Sequence, residues 1–469
     1  MKTKLLNLWY ALRTSFWLVP ALMVMMAIAL ALSMVVIDER VNGWVKGLGW
    51  VYARGPEGAR AILETIAGSM ITVAGVVFSI TIVALQLASS QFGPRLLYNF
   101  RRDTINQVVP GTFIATFVYC LLVLPTIQGK DGSSLVPHLS VAFGIALALV
   151  SLGVLIHFIH HIAGSIQAEN VVAAVGRELE GAINGLFPEK GPRCPEEPER
   201  SWPEQTAMPL FNCGASPVKA TASDYVQTID TDRLISLATK YDLVLRLLYR
   251  PGQFVVQGSA LALVQPEECM DDKLAERINA AYTVGVQRTL VQDVEFPVNQ
   301  LVEIALRALS PGVNDPFTAI RCVDQLGAAL CHLTTRSIPS PYLCSEEGVL
   351  RVIARPLSFR NIVDAAFDQI RQSARSNAAV TLRLLETIAL IAERVDSKED
   401  HTALLRQAQM TRRGSQTGLP EEWDREAVEE RYRTVVQVSQ GRGAPQVSME
   451  DGASSRDPRW ELSTRPDRS

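Results

Sequence analysis

Four long apolar runs lie between residues 15 and 164, and nothing comparable follows. Residues 15–37 read SFWLVPALMVMMAIALALSMVVI, without a charge. Residues 65–88, 108–126 and 139–162 are similar in length and equally uncharged. A helix rises about 1.5 Å per residue, so roughly 20 apolar residues cross a hydrocarbon core about 30 Å thick. Lipid offers the backbone no hydrogen bonds, so each run must be a helix that satisfies its own. The pattern therefore predicts a four-helix transmembrane domain over residues 15–164, after a short N-terminal segment, 1–14.

Beyond it the period stays helical for a while. Ile162, Ile166, Val172, Val175, Leu179, Ile183 and Leu186 recur at spacings of three to six. This predicts that span four runs on as a helical stalk over 165–186. Residues 187–216 are rich in proline and charge, which marks a linker. Residues 217–440 alternate short β-like runs with amphipathic stretches. Strands are expected at 223–229, 243–248, 253–256, 261–264 and 349–354. Pro251-Gly252 and Gly258-Ser259 supply turns. Helices are expected at 233–241, 273–282, 298–309, 316–335, 359–376, 380–395, 401–412 and 421–438. Residues 441–469 are almost free of aliphatic side chains and read as a disordered tail. The fold class is membrane α-helical with four transmembrane helices, plus a mostly helical cytoplasmic α+β domain.

Charge decides the orientation. Lys2, Lys4 and Arg13 precede span one with no acid among them. Arg95, Arg101 and Arg102 follow span two against Asp103 alone, whereas the loop after span three has just Lys130 and Asp131. Basic residues stay on the cytoplasmic side, so both termini are expected there. The loop after span one, with Arg40, Lys46, Arg54 and Arg60 against four acids, is the one weak point of this pattern, since acids count little in the rule. Span one has too long an apolar core for a cleaved signal peptide and reads as a retained anchor. The net charge of -3 over 469 residues gives no electrostatic case for nucleic acid. Seven scattered cysteines without a C-x-x-C pair suit reduced thiols rather than a zinc site or a disulfide framework.

Four features are candidates for function. On span two, Ser69, Thr72, Val76, Ser79, Val83, Gln86 and Ser90 follow alternating steps of three and four and share one helical face. Such a stripe either lets helices pack closely or, repeated about an oligomer axis, lines a narrow pore. Arg95, Arg101 and Arg102 obey the positive-inside rule and would stand at the inner mouth of any such pore. His157 and His161, four apart on span four beside His160, have metal-ligand spacing but no nearby Cys or carboxylate, so solvated interfacial histidines are the plainer reading. Finally, 309–319 reads LSPGVNDPFTA. Ser310-Pro311 ends one helix. Asn314 and Asp315 lead into the next, with Asp315 as N-cap, Pro316 as first residue and Thr318 in the first turn. Phe317, Ile320, Val323, Leu326, Leu330 and Leu333 are expected on its core face. Arg288 is placed to pair with Asp293 or Asp315, to fix the corner or to contact a ligand.

These residues also carry a resemblance. The run 309–319 resembles the signature LSP-x-x-NDP-x-TA of a bacterial "predicted membrane protein" family of the domain-of-unknown-function kind. So do VALQLASSQFGPR at 83–95, YVQTID at 225–230, Arg288 through Gln292-Asp293, and LVEIAL at 301–306. The likeness covers most of residues 6–395. It implies an integral inner-membrane protein and brings no activity, ligand or catalytic residue. No Ser/His/Asp set, H-E-x-x-H, P-loop or G-x-G-x-x-G is evident, so neither an enzyme nor a cofactor is expected. The expectation is a homo-oligomeric channel-like or transport-like conduit in the lipid bilayer, gated or assembled by its cytoplasmic domain. The alternative is a non-conducting membrane-anchored sensor or scaffold.

Overall fold

The computed structural model describes residues 17–41, 56–92, 104–127, 137–165, 167–189, 214–355 and 357–441. Four apolar helices come first: α1 (Leu18–Val41), α2 (Pro56–Phe92), α3 (Thr104–Val123) and α4 (His138–Ser165). All four are long and apolar enough to cross a membrane. The third is central and packs against the other three. Ala27, Ala31, Leu63, Ala67, Tyr119 and Val123 fill one end of the bundle, and Ala74, Val77, Phe113 and Phe158 the other. Small side chains on α1 and α2 let the helices approach closely, since dispersion drives packing in lipid. Specific polar contacts also join the helices. Thr116 and Ser151 hydroxyls meet at 3.1 Å, and the Tyr119 hydroxyl donates to the Ser140 carbonyl at 3.0 Å. The buried Asp38 carboxylate accepts from the Leu139 and Ser140 backbone N–H groups at 3.0 and 2.8 Å, and from the Ser140 hydroxyl at 2.6 Å. Asp38, at the end of α1, thus caps the otherwise unsatisfied N-terminus of α4.

Span four does not continue into a stalk. The backbone turns extended at Gln167 (φ -68°, ψ 130°), and a separate helix α5 (Ala168–Leu186) begins. Its apolar stripe of Val172, Val175, Leu179 and Ile183 is buried in the core of the extramembrane domain. A face that apolar cannot stand free in water. The stretch expected as a stalk is a structural helix of the domain it was expected to hold.

The domain has two cores. The smaller belongs to a β-rich unit in two sheets. Its first elements are β1 (Ser216–Lys219), β2 (Asp224–Ile229), α6 (Thr231–Lys240), β3 (Val244–Leu247), β4 (Phe254–Val255), β5 (Ala260–Gln265), α7 (Asp272–Asn279) and β6 (Tyr282–Gly285). Two helices follow, α8 (Glu295–Ala308) and α9 (Pro316–Leu333), before β7 (Tyr342–Cys344) and β8 (Leu350–Ile353) complete the unit. One sheet runs β1-β5-β3-β8-β7, antiparallel except where β3 pairs parallel with β8. The other runs β4-β2-β6. Three of these strands, β1, β6 and β7, are too short and too weakly patterned to stand out from sequence. Tyr282 begins β6 rather than ending a helix.

The larger core is helical. It joins α5, α8 and α9 with α10 (Phe359–Ser373), α11 (Ala378–Ala392), α12 (Lys398–Gly418) and α13 (Glu422–Ser439). Most starts are capped. Asp230, Asp271, Asp315, Ser358, Asn377 and Ser397 each accept a backbone N–H of the following first turn. On α9 the buried face is Ala319, Cys322, Val323, Leu326, Leu330 and Leu333. Phe317 is not on it. Two residues before Ala319, it falls on the opposite side of the helix and is 79% exposed.

Candidate functional site

Three places deserve building from their residues upward, and the first is the outer face of α2. Its buried positions are Ala59, Leu63, Ala67, Ala74, Val77, Thr81, Ala84 and Ala88. The stripe of Ser69, Thr72, Val76, Ser79, Val83, Gln86 and Ser90 lies on the other side, and every member is exposed. Among the described residues, the stripe's side chains from Ser69 to Gln86 pack against none of the other three apolar helices. Thr72, Ser79 and Ser90 return their hydroxyls to the carbonyls of Gly68, Gly75 and Leu87 at 2.8, 3.0 and 2.9 Å. Gly68 and Gly75 have open space where a side chain would stand. The result is a smooth, weakly polar strip along an otherwise apolar helix.

The second place joins that helix to the domain. With 37 residues, α2 extends about 55 Å, well beyond a hydrocarbon core of about 30 Å. Its far end reaches the domain. Ala88 is part of the larger helical core, and Arg307 near the end of α8 donates to the Ser90 carbonyl at 3.1 Å. Directly after Arg307 comes the Ser-Pro…Asn-Asp-Pro joint. The Ser310 hydroxyl donates to the Arg307 carbonyl at 2.6 Å, and Asp315 N–H to the Ala308 carbonyl at 2.7 Å. Asn314 takes a left-handed backbone (φ 48°), which asparagine tolerates better than most residues. Asp315 then caps α9: one carboxylate oxygen accepts Thr318 N–H at 3.1 Å, the other the Thr318 hydroxyl at 2.5 Å. Pro316 is the first helical residue, while Pro311 and Gly312 are exposed on the loop.

The third place is the corner before α8. Arg288 meets Asp293 through two hydrogen bonds, at 2.7 and 2.9 Å, and Asp315 is not its partner. Arg250 pairs with Glu295 at 2.5 Å. Gln292 imitates a strand neighbour, accepting from Ile229 N–H at 2.8 Å and donating to the Ile229 carbonyl at 3.2 Å. Asp293 is buried. Desolvation pushes its carboxyl above the usual range, and the Arg288 guanidinium pulls it part of the way back. Gly252 (φ 88°) presses its Cα against that carboxylate, where any β-carbon would collide. This corner locks the β-unit to the helical unit. Beside it, between the two units, opens a cavity of about 370 Å³.

The remaining candidates stay apart from these places. Arg95, Arg101 and Arg102 lie outside the described residues. The rings of His157 and His161 stand 6.3 Å apart on α4, and among the described residues no group of three or more His, Cys, Asp or Glu gathers as a metal site. Sequence reasoning missed Asp38, Arg307 and the cavity. Each depends on partners 100 or more residues away, or on the docking of two units, for which a linear pattern carries no signal.

Comparison with known proteins adds one clear result. The family described as "Predicted membrane protein (DUF2254)" matches residues 13–389. "Uncharacterized protein Mb1321c" of Mycobacterium bovis and "Uncharacterized protein Rv1290c" of Mycobacterium tuberculosis are each 33% identical over 379 residues, spanning 80% of this chain and 71% of theirs. No solved structure matches.

Proposed function

The chain belongs to the DUF2254 family of predicted membrane proteins, and from that premise we propose that it assembles as a homo-oligomer into a channel-like or transport-like conduit. One observation carries the reading: the weakly polar stripe of α2 is turned away from its own bundle. In a lone monomer that strip would face acyl chains. Thr72 and Ser79 tolerate this, since their hydroxyls bond to the helix backbone. The Gln86 amide has no hydrogen bond of its own among the described residues and lies within a turn of Ala88, where the helix reaches the domain. A second copy, or a water-filled path between copies, supplies the missing partners. The contact of Arg307 with Ser90 ties this same helix to α8, so motion of the domain is passed to the strip without a flexible joint. The family resemblance supports an inner membrane, and the overall pattern of basic loops favours both termini in the cytoplasm.

The test joins assembly to flux. Cysteine at Ser79 should cross-link between copies in the membrane. Ser79→Leu should lower solute or ion flux through reconstituted protein while the oligomer persists. A protein that stays monomeric, or an oligomer without flux under any tension, voltage or solute gradient, sinks the conduit reading. A non-conducting sensor is the second reading, and the cavity between the two units of the domain is the observation that favours it.

A further inference from the structure

The cavity of about 370 Å³ lies where the two cores of the extramembrane domain meet. Ile229, Leu247 and Leu343 line it from the β-unit, and Phe187, Val294 and Leu357 from the helical side. Its walls are mostly apolar, and its volume falls in the range of small-molecule sites. Most charge at its edge is already neutralised. Arg250 is held by Glu295 at 2.5 Å and Asp293 by Arg288 at 2.7 Å, so these four groups cancel in pairs.

Arg355 is different. It lines the cavity at an exposed position, and among the described residues no carboxylate lies within ion-pair distance of it. Its guanidinium donates to the Leu248 carbonyl at 3.3 Å, which fixes the side chain and leaves its charge unmatched. An apolar chamber with one uncompensated, forked cation at its rim is complementary to a narrow class of ligand. We propose that this cavity binds a small amphipathic anion, with its apolar body between the two units and its carboxylate-like head on Arg355. The placement gives such a ligand reach. Leu186 and Phe187, at the end of α5, border the cavity, and two residues separate the start of that helix from the end of α4. Val294 and Glu295 border it at the start of α8, whose other end holds span two through Arg307. Binding is a property of the domain and holds whether or not the spans conduct.

The experiment uses the full chain in phosphatidylcholine nanodiscs, with equilibrium dialysis of labelled octanoate, octanol and octylamine and subtraction of empty discs. Octanoate should bind saturably, octanol about tenfold or more weakly, and octylamine not above the empty discs, because a charge-assisted hydrogen bond is at stake. Arg355→Gln, which keeps a donor for the Leu248 carbonyl but no charge, should weaken octanoate about tenfold. Arg355→Lys, which keeps the charge but not the fork, should restore part of the affinity. Ala354→Leu, which adds bulk to the wall, should weaken octanoate and octanol alike. Equal binding of all three probes, octanoate affinity unchanged in Arg355→Gln, or no saturable octanoate binding to the wild-type chain would each overturn the proposal.

Discussion

Asp315 and Asp293 are both carboxylates in short connections, and burial sets them different tasks. Asp315 is partly exposed and satisfies the first turn of α9. Asp315→Ala should destabilise the protein by about 0.5–2 kcal/mol, and Asp315→Ser should recover much of the loss, because a hydroxyl also caps. Thermal melts of the three proteins with and without divalent metal check this; a metal-dependent wild type that serine cannot replace would point to a cation site instead. Asp293 is buried, and its carboxyl titrates above its ordinary range. The native state therefore holds this proton to higher pH than the unfolded chain does. Stability from this site is greatest below an ordinary aspartate pKa of about 4, falls as pH rises through the raised value, and is level above it. The melting temperature of the wild type should decline relative to Asp293→Asn as pH rises from about 4, and parallel curves would refute the shift.

Helix crossings show the same dependence on single atoms. Where α9 meets α11, Gly327 faces the Thr387 methyl so closely that an added β-carbon would overlap it. Packed interiors do not absorb such a methyl group. Gly327→Ala should therefore cost about 1–3 kcal/mol by forcing the two helices apart. Thr387→Ser removes that methyl and should restore part of the loss in the double variant. Chemical denaturation of the two singles and the double decides it: additive effects would show that the two residues do not meet. The break between α4 and α5 belongs to this scale too. Helical periodicity runs through residues 160–186, yet the membrane and the domain each bury a different face. The extended residue at Gln167 reorients the chain between them.

At the scale of the whole molecule, orientation and accessibility can be read together. Cys344 is exposed, whereas Cys322 and Cys331 are buried and their thiols are pushed up by desolvation. An impermeant maleimide should leave Cys344 unlabelled in intact cells and label it in inside-out vesicles. Cys322 and Cys331 should react after denaturation and not before, since the thiolate is the reactive form. Cysteine introduced at Gly132, in a background without native cysteines, should be labelled from outside. Labelling of Cys344 in intact cells would reverse the topology and place the domain outside.

What the sequence determined by itself is what depends on local pattern. Four uncharged runs long enough for a bilayer predict four long apolar helices, and the structure forms all four. The order Asp315-Pro316 announces a helix start because cap and fixed φ act within one turn, and α9 begins there. The pairing of Arg288 with Asp293 was legible for the same reason, though Asp315 stood as an equal alternative until the chain was folded. Phe317 was misplaced because its neighbours fit a helical face that a two-residue offset reverses. The tertiary structure alone decided the rest. It showed that the α2 stripe faces outward, that Asp38 caps a helix a hundred residues away, and that Arg307 grips span two. It also opened a cavity between two cores beside an unmatched arginine. Each of these arises when distant segments dock, and burial, unlike periodicity, is a property of the assembled fold and not of the chain read in line.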